Sequence, residues 1–156
     1  MFYSPSLGTE AVAFGAHVGY LIDNQAEYCN IEVFVPWDFK EIVDLVLVVC
    51  PVVAQFNQDM FLSVQCQYAK KNQVSTENNV INAANVPIRH RWSAVAGYIQ
   101  EIDISDMVSK TNTFADRGLE AGDYLGVDVE RNATNGDDTN ARILGVRMRY
   151  KVFKGK

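Results

Sequence analysis

Hydrophobic and polar residues alternate along two stretches of the chain, 124–131 and 142–151, joined by a polar loop. In the first, Leu125, Val127 and Val129 oppose Tyr124, Asp128 and Glu130. In the second, Leu144, Val146, Met148 and Tyr150 oppose Arg147, Arg149 and Lys151. Side chains of a strand point alternately to its two faces, so each stretch predicts a strand with one buried and one wet face. No helix gathers either apolar set on one side.

Upstream stretches carry the same signal. Residues 11–22 are mostly apolar with Gly15 and Gly19, which predicts a first strand that is irregular at its glycines. Over 27–35, Cys29, Ile31, Val33 and Val35 alternate with Tyr28, Asn30, Glu32 and Phe34, and Pro36 ends the strand. Residues 37–41 form a corner in which Phe39 plugs the end of the core. The run I-V-D-L-V-L-V-V-C at 42–50 is short, β-branched and apolar on both faces. It predicts a strand covered on both sides, with a second subunit as the outer cover and Leu45 and Leu47 as its contacts. Further strands are predicted at 60–69, at 86–92 (an edge, because of Pro87) and at 98–104. Ser105 is placed to cap a helical turn.

About eight strands joined by mostly long connections suit chains that cross between two sheets. The predicted fold is therefore all-β, a two-sheet antiparallel jelly-roll sandwich with an extended N-terminal arm. The last strand is expected beside the first and beside 42–50, with 124–131 in the opposite sheet beside 27–35. The rival is an immunoglobulin-like sandwich in which the last two long strands pair, setting Asp128 or Glu130 across from Arg147.

Length and composition narrow this picture. The chain has 156 residues, enough for one cored domain at 11–156, preceded by an arm at 1–10. The arm is either a frayed end or a strap over a neighbouring subunit, with Phe2, Tyr3 and Leu7 as anchors. A net charge of −5 argues against nucleic acid as a partner. Yet residues 142–156 carry only bases, which reads as a solvated outer strand face before a partner-binding patch. Three cysteines, Cys29, Cys50 and Cys66, are an odd number without a C-x-x-C pair; buried free thiols made in a reducing cytoplasm fit best. The sequence shows no signal peptide and no apolar run of membrane-spanning length, so no membrane partner is expected.

Candidate chemistry is sparse. His90 sits in R-H-R-W with Trp92, where Arg and Trp suggest phosphate and stacking contacts, but a solvated or subunit-facing edge is the plainer reading. His17 lies in an apolar stretch and reads as a packed histidine. Two distant histidines without companion ligands make a zinc site improbable. Glu101 and Asp103 share a strand face, and paired carboxylates can hydrolyse glycosides, but adjacent acids on a wet face are usually just solvated. Asn135, Gly136, Asp137 and Asp138 lack the rest of a calcium-loop pattern. The sequon at Asn132 reads as chance without a secretory signal. No enzyme and no cofactor are expected.

Three pieces taken together, E-V-F-V-P-W-D-F-K-E-I-V-D-L-V-L-V-V, I-Q-E-I-D-I-S and L-E-A-G-D-Y-L-G-V-D-V-E-R ending in L-G-V-R-M-R-Y, resemble a group of small virion structural proteins of tailed bacteriophages. The resemblance runs from Glu32 to Tyr150, and A-G-D-Y-L-G-V is its most specific piece. It implies a jelly-roll subunit that decorates or stabilises a capsid or forms part of a fibre, commonly as a trimer. Its implied partners are further copies of itself and other virion proteins such as a major capsid protein; its implied place is the virion, assembled in the host cytoplasm. No catalytic residue comes with these motifs. Within them, Gly122 and Asp123 permit a tight turn, and Gly126 either lets a neighbouring backbone approach or marks a local bulge. The alternative function is a carbohydrate-binding module, since jelly rolls also serve as lectins, with Trp37, Trp92 and the loop 70–85 as its site.

Overall fold

The computed structural model describes residues 2–5, 11–14, 17–23, 27–53, 58–69, 81–82, 88–92, 96–108, 119–132 and 140–153. Their strands are β1 (Phe2–Pro5), β2 (Ala11–Phe14), β3 (His17–Ile22), β4 (Tyr28–Phe34), β5 (Phe39–Pro51), β6 (Asp59–Ala69), β7 (Ile81–Asn82), β8 (Ile88–Arg91), β9 (Gln100–Asp103), β10 (Tyr124–Arg131) and β11 (Ala141–Val152). One turn of 3-10 helix spans Ser105–Met107.

The strands form two antiparallel sheets. The first runs β1-β4-β10-β6-β7, with β8 also on β6; the second runs β2-β3-β11-β5-β9. From β3 to β6, and again from β8 to β11, each strand crosses to the opposite sheet. That is jelly-roll order, and it brings period-two strands face to face around one core. The expected neighbours hold: β11 lies between β3 and β5, and β10 lies beside β4. The immunoglobulin-like pairing does not occur. Asp128 faces Asn30 and Gln65, while Arg147 binds Glu101.

The core lies between the inward rows. Cys29 and Ile31 of β4, Leu125, Val127 and Val129 of β10, and Leu62, Val64 and Cys66 of β6 meet Leu45, Leu47 and Val49 of β5 and Ile143 of β11. Burying each of the larger aliphatics contributes about 1.5–3 kcal/mol. Phe39 is 2% exposed and closes one end of the core, as its position predicts.

Several expectations need correction. The stretch 11–22 is two strands, and Phe14 pairs with His17. The N-terminal segment is no free arm along Phe2–Pro5: Phe2 pairs with Glu32 and Pro5 with Cys29, so β1 completes the edge of its own sheet. The side chains of Phe2 and Tyr3, and all of Leu7, lie outside the described residues. Leu45 and Leu47 are fully buried in the core and cannot form an outward subunit face. The outer cover of β5 comes from the chain itself: Val46 is 6% exposed beneath side chains of β9 and β11, where Arg147 binds Glu101 at 2.8 Å and reaches Asp44 at 3.7 Å. Long Arg stems shield apolar surface while their heads stay wet.

Leu144 does not follow its predicted face. A register shift between Ile143 and Gly145 turns Ile143 inward before it and Val146 inward after it. Ser105 is not the cap of the short helix; its backbone lies inside that turn, and its hydroxyl accepts the Leu45 N–H at 3.0 Å. The stretches 70–80 and 133–139, with their calcium and loop readings, lie outside the described residues.

Candidate functional site

Both surfaces that stand out flank the corner between β4 and β5. Pro36 stops β4 and accepts the Phe39 N–H at 3.0 Å, which turns the chain through Trp37 and Asp38. The turn before β10 is bound to this corner. Gly122 N–H donates to the Val35 carbonyl at 3.0 Å, and Val35 N–H donates to the Asp123 carbonyl at 2.8 Å. Asp123 is 3% exposed because its carboxylate closes the turn, accepting the Glu120 N–H at 2.9 Å. Gly122 takes a φ of +83° in this turn, a conformation that suits glycine.

This geometry seats three aromatic rings in solvent. Trp37 is 64% exposed, and Phe34 and Tyr124 are each 40% exposed. Phe34 meets Trp37 at 5.4 Å and Tyr124 at 5.5 Å between ring centres, both edge to face. Phe34 and Tyr124 are direct partners across β4 and β10. Their alternation marks both as outward-facing, yet only the register shows that they adjoin Trp37.

Below the rings the outward face of the first sheet is polar. Glu32, Gly126 and Gln67 form the next row, then Asn30, Asp128 and Gln65. Gly126 keeps unbroken register with both neighbours, so it marks no bulge. A Cβ there would find the Gln67 carbonyl oxygen at 3.7 Å, leaving a low floor between Glu32 and Gln67. Burial, and secondarily Glu130, push the Asp128 carboxyl above its ordinary range. One Asp128 oxygen is buried without a hydrogen-bond partner among the described residues.

On the other side of the corner, Lys40, Tyr150, Lys151, Val152 and Phe153 line a cleft of about 640 Å³. Phe153 N–H donates to the Asp38 carbonyl at 3.0 Å, and the Tyr150 hydroxyl donates to the Asp38 carboxylate at 3.3 Å. Tyr150 packs on Phe39 with ring centres 5.7 Å apart. Phe153 is 62% and Val152 47% exposed. Among the described residues, the bases that follow residue 142 are paired: Arg147 binds Glu101. Arg149 binds Asp44 at 2.5 Å, and Lys151 binds Glu41.

Most of the other sequence candidates are tied to neighbouring elements of the fold. Trp92 is fully buried, so it cannot contact a sugar as the lectin reading requires; His90 packs edge-on against it at 5.0 Å. His90 also shares a 3.1 Å hydrogen bond with Gln100, tying β8 to β9 across the sandwich, and burial lowers its pKa. Arg89 and Arg91 both bind Asp59, at 2.6 and 3.1 Å. Glu101 is held by Arg147, and Asp103 by Ser105, so the two acids do not act as a pair. His17 lies in β3, with its side chain outside the described residues. Among the described residues no group of three or more His, Cys, Asp or Glu side chains could hold a metal ion.

No protein-family description matches this sequence, and no curated protein does. Among solved structures, a family two carbohydrate esterase from Clostridium thermocellum in complex with cellohexaose is similar over 88% of this chain, with 6% identity and a TM-score of 0.41. The similar region covers 29% of that protein.

Proposed function

We propose that this chain is a non-enzymatic structural subunit of a virion, a jelly-roll unit that self-associates and decorates or stabilises a capsid or forms part of a fibre. The sequence resemblance motivates the virion setting. The observation that carries self-association is the end of the β5–β11 pair. There Val152 is 47% and Phe153 62% exposed, and both line the cleft together with Lys40, Tyr150 and Lys151. Apolar side chains gathered at one end of a sandwich signal a contact surface more than a solvated end does. A second copy is the occupant; the resemblance makes a trimer the expected form, and repeated weak contacts closed around an axis add without any one being strong.

Light scattering on the purified chain and on Phe153→Ser tests this. A trimer that falls to lower mass in the variant supports the reading. A wild-type monomer at high concentration would remove it.

A further inference from the structure

The outward face of the first sheet belongs neither to the core nor to the contact surface proposed above. We infer that this face binds a neutral oligosaccharide, with a sugar ring on the Trp37–Tyr124 platform and hydroxyl groups held by the two polar rows beneath it. A pyranose offers an apolar C–H face and a polar rim. Exposed aromatic rings match the first, and carboxamides, which both donate and accept, match the second. This face supplies both in sequence. Trp37, Phe34 and Tyr124 stand at one end; Glu32 and Gln67 follow across the low floor at Gly126; Asn30, Asp128 and Gln65 come next. From Tyr124 to Asp128 the strand rises about 13 Å, long enough for a short chain of sugars rather than a single one.

Two further features favour this ligand class. The platform is held before any ligand arrives, by the edge contacts of Phe34 and by the seat of Trp37 on Gly122, so little ordering is needed on binding. The charge on the face selects against anionic glycans. The outward positions of β4 and β10 carry Glu32, Asp128 and Glu130 and no base, so sulfated or uronic acid chains would be repelled.

An array of neutral glucan, mannan and galactan oligosaccharides, printed beside sulfated ones, tests the inference, with Kd measured for any hit by calorimetry. Wild type should bind a neutral chain and no sulfated one. Trp37→Ala should weaken binding by at least about tenfold. Gly126→Val, which fills the floor without touching the rings, should weaken it similarly, and both variants should unfold at the wild-type temperature or close to it. In calorimetry Phe153→Ser should bind the free sugar with the wild-type Kd per subunit, which separates this site from the assembly surface and from surface avidity. No neutral hit at millimolar sugar, a preference for sulfated chains, or undiminished binding by Trp37→Ala would each overturn the inference.

Discussion

A Cβ atom built on Gly122 would stand 2.3 Å from Cζ3 of Trp37. The six-membered ring of the tryptophan therefore lies directly against a residue that has no side chain. The glycine does two jobs: it takes the positive φ of the turn into β10, and it leaves room for the ring.

Gly122→Ala should accordingly be far more damaging than an exposed turn substitution. Forcing a Cβ into the left-handed region costs about 1–2 kcal/mol, and displacing the ring adds to that. Urea unfolding followed by circular dichroism should show a clearly lower midpoint, and native tryptophan fluorescence should change as Trp37 moves. An unchanged midpoint would mean that the ring yields freely and is not fixed by Gly122.

The two tryptophans should separate cleanly. Trp92 is fully buried in the core, so Trp92→Ala should cost about 3–5 kcal/mol. Trp37→Ala removes a mostly exposed ring and should cost below about 1.5 kcal/mol. Chemical denaturation of both variants checks the order; equal losses would contradict the burial pattern.

Removing residues 1–10 should destabilise the domain, because β1 covers the edge of β4. Each backbone hydrogen bond lost is worth about 0.5–1.5 kcal/mol net, partly offset by the freedom the segment regains. A bare edge also invites sheet-to-sheet association. The truncated chain should melt earlier and aggregate at lower concentration. If it melts as wild type does, the β1–β4 pairing contributes little.

Acid should act in two stages. Burial depresses the His90 pKa in the fold below its ordinary 6.5, so the unfolded chain takes up a proton first. Stability from neutral His90 is complete above pH 6.5 and declines as pH falls through that value towards the lower folded one. Asp59, Glu101 and Asp103 are held below their ordinary range chiefly by bonds from Arg89, Arg147 and Ser105. Their contribution persists above pH 4.5 and is lost only in stronger acid. Replacing His90 with Gln should flatten the melting temperature between pH 7 and 5 while leaving the lower transition; an unaltered slope would assign it to other groups.

The thiols should be silent in the native protein. Burial pushes Cys29 and Cys66 up to about 12 and raises Cys50 as well. A colourimetric thiol reagent at pH 8 should find almost nothing until denaturant is added, and then three thiols. Rapid native labelling would mean that the sheets open readily.

Much of the fold is legible in the sequence because strand alternation is a local property. Cys29, Ile31, Leu125 and Val127 announce their faces within a few residues, and Pro36 and Gly122 announce the turns. What cannot be read locally is which strand covers which. In β5 the apolar residues on both faces predict two covers, and the sequence does not say that the outer one is Arg147 with Glu101 rather than a second subunit. The same pattern puts Leu45 and Leu47 on the wrong side, since an apolar run has no phase of its own. Trp92 looks like Trp37 in sequence, and only the closure of β8 over the core separates them. The aromatic platform depends on register as well: Phe34 and Tyr124 are 90 positions apart until β4 and β10 pair.

The place of β11 has a consequence for synthesis. It is the inner strand between β3 and β5, yet it follows every other described strand in sequence. A nascent chain can pair β4 with β6's neighbour β10 before β11 emerges, but the second sheet stays split into two halves until then. Such long-range closure is slow and leaves apolar strand edges bare while translation continues. Ribosomes stalled just short of residue 141 should therefore hold a chain that proteases and chaperones still recognise as unfinished.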